Sequence, residues 1–270
     1  MAGKNIYYKK LTMDIHKKFT RKIINDYIRF EIDQSEWFNI KDYIKSYGKE
    51  FYLKEDELQR FSQKSIEERK RYLADNVLPS KGKIKSGDFG EIFSFLFIQS
   101  EYTAKKIDLY GPKKWRWKDY PDSPAPFSDV IFLFAKDPTN PHSNDLAICI
   151  ESKMSATRPR KKKNRIQDAL DGAEKDRFTR LAQTISWIET KYERENIQSD
   201  LPLVRRFKDP VNYPYKQEYY AIAIFDISYI DSEISKGYAK PSNEIKLYLL
   251  SINDLKRLYE TYFRELIDEA

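Results

Sequence analysis

The chain has 270 residues, 40% hydrophobic and 34% charged, with a net charge of +7. That length holds one large domain or two small ones with a substantial core, and no apolar run reaches a membrane span. The single cysteine, Cys149, excludes an internal disulfide and suits a reducing, cytoplasmic setting. Only two histidines occur, His16 and His142, far apart, so a Cys/His zinc site is not expected. The first residues, Met1-Ala2-Gly3-Lys4-Asn5-Ile6, lack the apolar segment of a signal peptide. The modest positive excess favours nucleic acid as a partner.

Residues 14–33 and 54–75 read as helices, rich in Lys and Glu with spaced Ile, Phe and Tyr. Between them lies an aromatic, less regular stretch. Leu78-Pro79-Ser80-Lys81-Gly82-Lys83 is a polar hinge. It divides the chain into a mainly helical N-terminal region, 1–78, and a second domain, 79–270. Gly87-Asp88-Phe89-Gly90-Glu91 then opens a helix predicted over about 88–100, with Asp88 near its N-cap. Phe89, Ile92, Phe93, Leu96 and Phe97 recur at helical spacing and describe a buried face. Glu91 sits amid them. An unpaired buried carboxylate is costly, so Glu91 needs a cation, a donor or a route to solvent. Alternatively it caps the first turn, where an acid is favoured.

Strands are predicted near 105–110, 113–118, 128–135 and 145–153. Pro121, Pro124 and Pro126 break the chain before the third, and Asp137-Pro138-Thr139-Asn140-Pro141 before the fourth. The group Lys113-Lys114-Trp115-Arg116-Trp117-Lys118 interleaves cations with aromatics. It suits stacking on bases or a strand with one basic and one aromatic face. Residues 165–196 read as one long helix or two, 219–227 and 245–251 as strands, and 252–268 as a helix. Hairpin-spaced strands among helices predict an α/β protein with a largely antiparallel core.

The chemistry concentrates in residues 128–153. Ser128-Asp129-Val130 opens one apolar run, and Ala147-Ile148-Cys149-Ile150-Glu151-Ser152-Lys153 ends another in Glu-x-Lys. Glu151 and Lys153 are two apart, so on a strand both leave the same face. The Asp129 and Glu151 carboxylates can hold a hard divalent cation, and Lys153 can orient or activate a water beside it. Those are the parts for metal-assisted phosphodiester hydrolysis. The competing reading is an exposed strand end with a surface ion pair of little worth. A basic run follows at once: Arg158, Arg160, Lys161, Lys162, Lys163 and Arg165. It can grip phosphates, or it is a solvated loop.

Glu91 on an early helix, Asp129 at a strand start and Glu151-Ser152-Lys153 on the next strand resemble the PD-(D/E)xK nuclease superfamily. The resemblance implies a restriction-endonuclease-like α/β fold, a mixed sheet flanked by helices. It implies Mg2+ (or Mn2+) bound by Asp129 and Glu151 with Glu91 as auxiliary acid, and Lys153 near the attacking water. Gln183-Thr184-Ile185-Ser186-Trp187 is similar to the Gln-x-x-x-Tyr element of the RecB-like branch, with Trp for Tyr, which implies an auxiliary role for Gln183. Otherwise Gln183 is a polar-face residue and Trp187 a core residue.

The Gly-Asp-Phe-Gly-Glu opening, the central Asp129 and the Glu-Ser-Lys triplet, then a basic segment and a long helix, are similar to the nuclease subunit of the bacterial Hachiman anti-phage system. The similarity covers roughly residues 75–270. It implies a DNA-cleaving defence effector beside a helicase partner that restrains it. Many relatives place a glycine two residues before the acid. Here the sequence reads Pro126-Phe127-Ser128-Asp129, so the local turn departs from the pattern. Two other readings share these residues: a non-catalytic nucleic-acid-binding or protein-interaction subunit, and a restriction-type endonuclease.

Overall fold

The computed structural model describes residues 14–32, 34–158 and 163–270. Its strands are β1 (Phe19–Ile24), β2 (Tyr27–Ile32), β3 (Val130–Phe134), β4 (Leu146–Ser155), β5 (Lys216–Asp226) and β6 (Ile245–Ile252). They form one sheet in the order β1-β2-β6-β5-β4-β3. The two edge pairs, β1/β2 and β3/β4, are antiparallel. The central pairs β2/β6, β6/β5 and β5/β4 are parallel. The sheet is therefore mixed, as the resemblance implies, and not largely antiparallel. Hairpin-length gaps fit only its edges, because the crossover from β4 to β5 runs through helices.

Those helices are α5 (Arg165–Lys175), α6 (Leu181–Arg194) and α7 (Leu201–Arg206), with a π-helical turn, Asp176–Arg180, between the first two. The remaining helices are α1 (Trp37–Tyr52), α2 (Glu55–Ser62), α3 (Ile66–Tyr72), α4 (Gly82–Ala104), α8 (Ile230–Ile234) and α9 (Leu255–Asp268). Among the described residues no helix is long and apolar enough to cross a membrane.

The two-residue period of the strands splits the core into two layers. Val130, Phe132, Ile148, Ile150, Ile222, Ile224 and Leu250 face one side, where they meet α1, α4 and α9. Ile131, Leu133, Ala147, Cys149, Ala221, Ala223 and Leu249 face the other, under α5–α7. Cys149 is a buried free thiol of that second layer. The α4 helix buries Phe89, Ile92, Phe93, Phe95, Leu96, Phe97 and Ile98. A helix apolar nearly all round belongs at the centre of a core. The α5 face is made of Ile166, Ala169, Leu170, Gly172 and Ala173. Its small residues, over Ala147, Ala221 and Ala223, let the helix approach the strands closely.

Three expectations give way to tertiary context. Residues 19–32 form a hairpin, not part of a helix. Their alternating Phe, Ile and Tyr suit strands, and the Asn25-Asp26 turn carries Asn25 at φ 46°, which Asn tolerates. The aromatic stretch 37–52 is helix α1, because Trp37, Ile40, Tyr43, Ile44, Tyr47 and Phe51 recur at three- and four-residue spacing. The strands predicted at 105–110 and 113–118 reduce to one bridge, Tyr110 with Leu133, and one 3-10 turn, Lys114–Trp117. The hinge at Leu78–Lys83 separates β1, β2 and α1 in sequence from their packing partners β6 and α9. Residues on both sides share one apolar layer.

Candidate active site

The face of β4 that carries Ala147 and Cys149 continues to Glu151 and Lys153. Glu151 lies beneath α5 and is 4% exposed. Gly172 makes the room, since a Cβ there would sit 2.2 Å from Glu151 Cδ. Both carboxylate oxygens meet cations. Lys153 Nζ donates to Oε1, and Arg180 Nη1 donates to Oε2 at 2.9 Å. Burial and then the neighbouring Asp129 push the Glu151 carboxyl up to about 7.

Asp129 stands just before β3. Its Oδ2 accepts the Ser152 N–H at 2.9 Å and lies 3.5 Å from Lys153 Nζ. Lys153 also donates to the Ser152 carbonyl at 3.2 Å. Burial works against the Lys153 ammonium, yet Asp129 and Glu151 outweigh it and hold its pKa above the ordinary value. Two carboxylates and one backbone carbonyl thus converge on a single positive point.

Glu91 comes from the third turn of α4, well inside the helix, so it does not cap a first turn. Its Oε2 accepts from Trp115 Nε1 at 3.0 Å. Burial, then Asp129, raise its carboxyl well above the ordinary range. Glu91 shares the electrostatic neighbourhood of Asp129 and Lys153 without a hydrogen bond or ion pair to either. Asp88 is also mid-helix and not an N-cap. It is 2% exposed, bonds Lys118 Nζ at 2.5 and 2.7 Å and accepts from Tyr52 at 3.0 Å.

Further groups complete the cluster. The π turn swings Asp176 and Arg180 toward β4, and such turns recur at functional sites. Ser128 Oγ donates to Asp176 Oδ1 at 2.9 Å and lies 3.0 Å from Thr184 Oγ1. Lys114, 1% exposed, donates to the carbonyls of Pro126 and Ser128, and burial lowers its pKa. The chain before Asp129 is therefore held from two sides. Asp176 and Arg180 escaped notice among the charged residues of the long helix. Their signal was positional: the buried stripe Ile166, Ala169, Ala173 continues to 176 and 180 at helical spacing.

Burial, reinforced by Glu151, pushes the Asp176 carboxyl up to about 8. A carboxyl raised on folding holds its proton in the native state after the unfolded chain has lost it. Its contribution is complete below the ordinary carboxylate range and is lost as pH climbs to about 8. Urea titrations at pH 5 and pH 9 should show the wild-type chain losing on the order of a few kcal/mol relative to Asp176→Asn. Equal pH dependence in the two proteins would contradict the raised value.

The other sequence-selected residues fall outside this cluster. Gln183 is exposed on α6, and its neighbour Thr184 is the one that reaches Ser128. Trp187 packs on Trp117 with ring centres 5.6 Å apart. Arg158 and Lys163 are exposed, while Arg165 pairs with Asp168 at 3.2 Å. Arg160, Lys161 and Lys162 lie outside the described residues. In the second basic group Trp115 and Trp117 are buried, and Lys113 pairs with Glu50 at 2.8 Å. That turn is packing, not a platform for bases.

Among the described residues no three His, Cys, Asp or Glu side chains form a group arranged to hold a metal ion. The smaller set of Asp129, Glu151 and the Ser152 carbonyl still fits magnesium in kind. Magnesium takes one or two carboxylates and completes its shell with water and substrate phosphate. All the donors are hard oxygens, and they already surround the Lys153 ammonium. No curated protein matches the chain. The HamA family model matches it over residues 10–266, so the chain belongs to the HamA family, of the Hachiman anti-phage defence system.

Proposed function

We propose that the chain is a divalent-metal-dependent nuclease that hydrolyses DNA phosphodiester bonds, a PD-(D/E)xK-type effector acting with a helicase partner. The observation that carries this reading is the convergence of Asp129, Glu151 and Lys153 at one half-open point. Burial, and then Asp129 beside it, raise the cost of ionising Glu151 there. A fold keeps such a pair at a cost in stability, and catalysis is one reason to keep it.

When bound, a divalent cation would polarise a phosphoryl oxygen and acidify a water. Asp129 and Glu151 are the residues that would hold it, with the Ser152 carbonyl beside them. Lys153 then exchanges its carboxylate contacts for a water or a phosphate oxygen and orients it for in-line attack. Arg180 steadies Glu151 and can turn to a non-bridging phosphate oxygen. Asp176, fixed by Ser128, sets the position of Arg180 through a contact of 3.7 Å. Glu91, held by the Trp115 indole N–H, is the auxiliary acid of the set.

The test is cation dependence. The purified chain, free of its restraining partner, should cut DNA in magnesium, stop in EDTA and resume when magnesium is restored. Cleavage indifferent to EDTA would contradict the reading. One observation favours a rival: both Glu151 oxygens are already satisfied by Lys153 and Arg180. In that case the cluster is structural and the chain binds nucleic acid or protein without cutting. Silence in magnesium of the chain freed from its partner would support it.

The basic run after β4 is placed on the DNA path by the same reading. Replacing Arg160, Lys161, Lys162 and Lys163 by alanine should weaken DNA binding and flatten its salt dependence. Each lost phosphate contact removes about 0.9 units of slope on duplex DNA. Single-turnover cleavage at saturating DNA should persist. Titrations of labelled duplex at several salt concentrations check this, and unchanged slopes would remove the run from the DNA surface.

A further inference from the structure

The loop that delivers Asp129 carries a strained aromatic residue. Phe127 has φ 63°, in the left-handed region where a Cβ is crowded and a bulky side chain is an outlier. Its side chain is not part of the core, since Phe127 is 39% exposed. The strain is held in place by buried groups. Lys114 donates to the carbonyl of Pro126 at 2.5 Å and to that of Ser128, so one ammonium grips the backbone on both sides of Phe127. The Ser128 hydroxyl is anchored in turn on Asp176 at 2.9 Å. Such a conformation persists because its surroundings over-determine it. Glycine would make the same turn without steric cost. The fold alone gives no reason for a phenyl ring at this point.

Position supplies a reason. Two residues of chain span at most about 7 Å, so the backbone that carries Phe127 lies within about one nucleotide of the Asp129 backbone. The Asp129 side chain is 17% exposed and the Lys153 side chain 27%, so the site opens to solvent beside the loop. A phosphate seated there brings its own base within reach of the ring. In a duplex, both faces of that base are covered by its neighbours, and only an unstacked base offers a face.

We propose that Phe127 is a base-stacking, specificity-determining residue that selects a single-stranded or locally unstacked nucleotide at the cleavage point. This rests on the nuclease reading above and names its substrate class. The Lys114 clamp serves as the positioning device: it fixes the backbone that carries the ring. Stacking is tolerant of sequence because every base has a π-face, so the selection is for strand state rather than for a base.

The experiment uses Asp129→Asn as a background in which cleavage is silent. Its affinity is measured for a single-stranded oligonucleotide and for an abasic strand of equal length and charge. The base-bearing strand should bind about 5- to 150-fold more tightly, the range expected for one stacked base. Adding Phe127→Gly should erase that preference, while Phe127→Trp should keep it. A thermal midpoint for Phe127→Gly no lower than that of the background shows that the loop still folds. Retention of the preference by Phe127→Gly overturns the proposal, and so does equal binding of the two strands by the background. Either result leaves the nuclease reading to its own cation-dependence test. Failure to bind either strand overturns both.

Discussion

Gly172→Ala should cost the chain both stability and cleavage, although the substitution adds one methyl group far from any proposed metal ligand in sequence. The new Cβ would lie 2.2 Å from Glu151 Cδ and 2.5 Å from Oε1. No bonded geometry tolerates that approach, and neither partner is free to yield. Gly172 is fixed on α5, which packs on β4 and β5, and Glu151 is held between Lys153 and Arg180. The carboxylate must swing out or α5 must lift. Overpacking of this kind costs about 1–3 kcal/mol, and a shift of about 1 Å at a reacting centre costs about 10²-fold in rate. Gly87→Ala is the matched control. A Cβ there meets nothing within 4 Å, and alanine within a helix gains about 0.5–1 kcal/mol over glycine. Denaturant titration beside single-turnover cleavage separates the two. A Gly172→Ala chain that cuts at the wild-type rate would show that the position of Glu151 is irrelevant to the reaction.

Asp129→Asn and Glu151→Gln should each lower metal-dependent cleavage by at least about 10²–10³-fold, the scale on which one preorganised charge acts at a reacting centre. Neither should unfold the chain. Burial is the first cause of the raised carboxyls at Glu91 and Glu151, and Asp129 is the second for both. Neutralising one acid relieves the others, so the thermal midpoint should hold or rise. Lys153 and Arg180, left with fewer partners, are each 27% exposed at the side chain and can turn to water. Lys153→Ala differs in kind: it should slow cleavage while leaving cation binding intact, as titration calorimetry with magnesium would show. A large loss of stability in Glu151→Gln would instead mark the cluster as a structural ion-pair network.

Much of the site was legible because strand geometry is simple. A two-residue period carries Glu151 and Lys153 to the same face whatever the rest of the fold does, and Asp129 opens the strand paired beside them. Glu91 was legible as a misfit, a carboxylate inside an apolar helical stripe. Asp176 and Arg180 were harder to pick out, because charged residues are common in this chain and only their place on the continued stripe of α5 marks them. Gly172 could not be recognised at all, since its role depends on a side chain from a strand twenty residues earlier. The hairpin at 19–32 and the helix at 37–52 were misread for one reason. Tyr, Phe and Ile serve strands and buried helix faces alike, and spacing, not composition, separates them. Parallel pairing in the centre of the sheet was hidden because β2 and β6, neighbours in space, are some two hundred residues apart.

The most direct test compares wild type with Asp129→Asn, purified identically and each free of the helicase partner, on circular single-stranded and duplex DNA in magnesium. The account predicts cutting by the wild-type chain, and cutting at least about 10²–10³-fold slower by Asp129→Asn at the same concentration and folded content. Equal cutting by both would contradict it, because the activity would then belong to some site other than Asp129, Glu151 and Lys153.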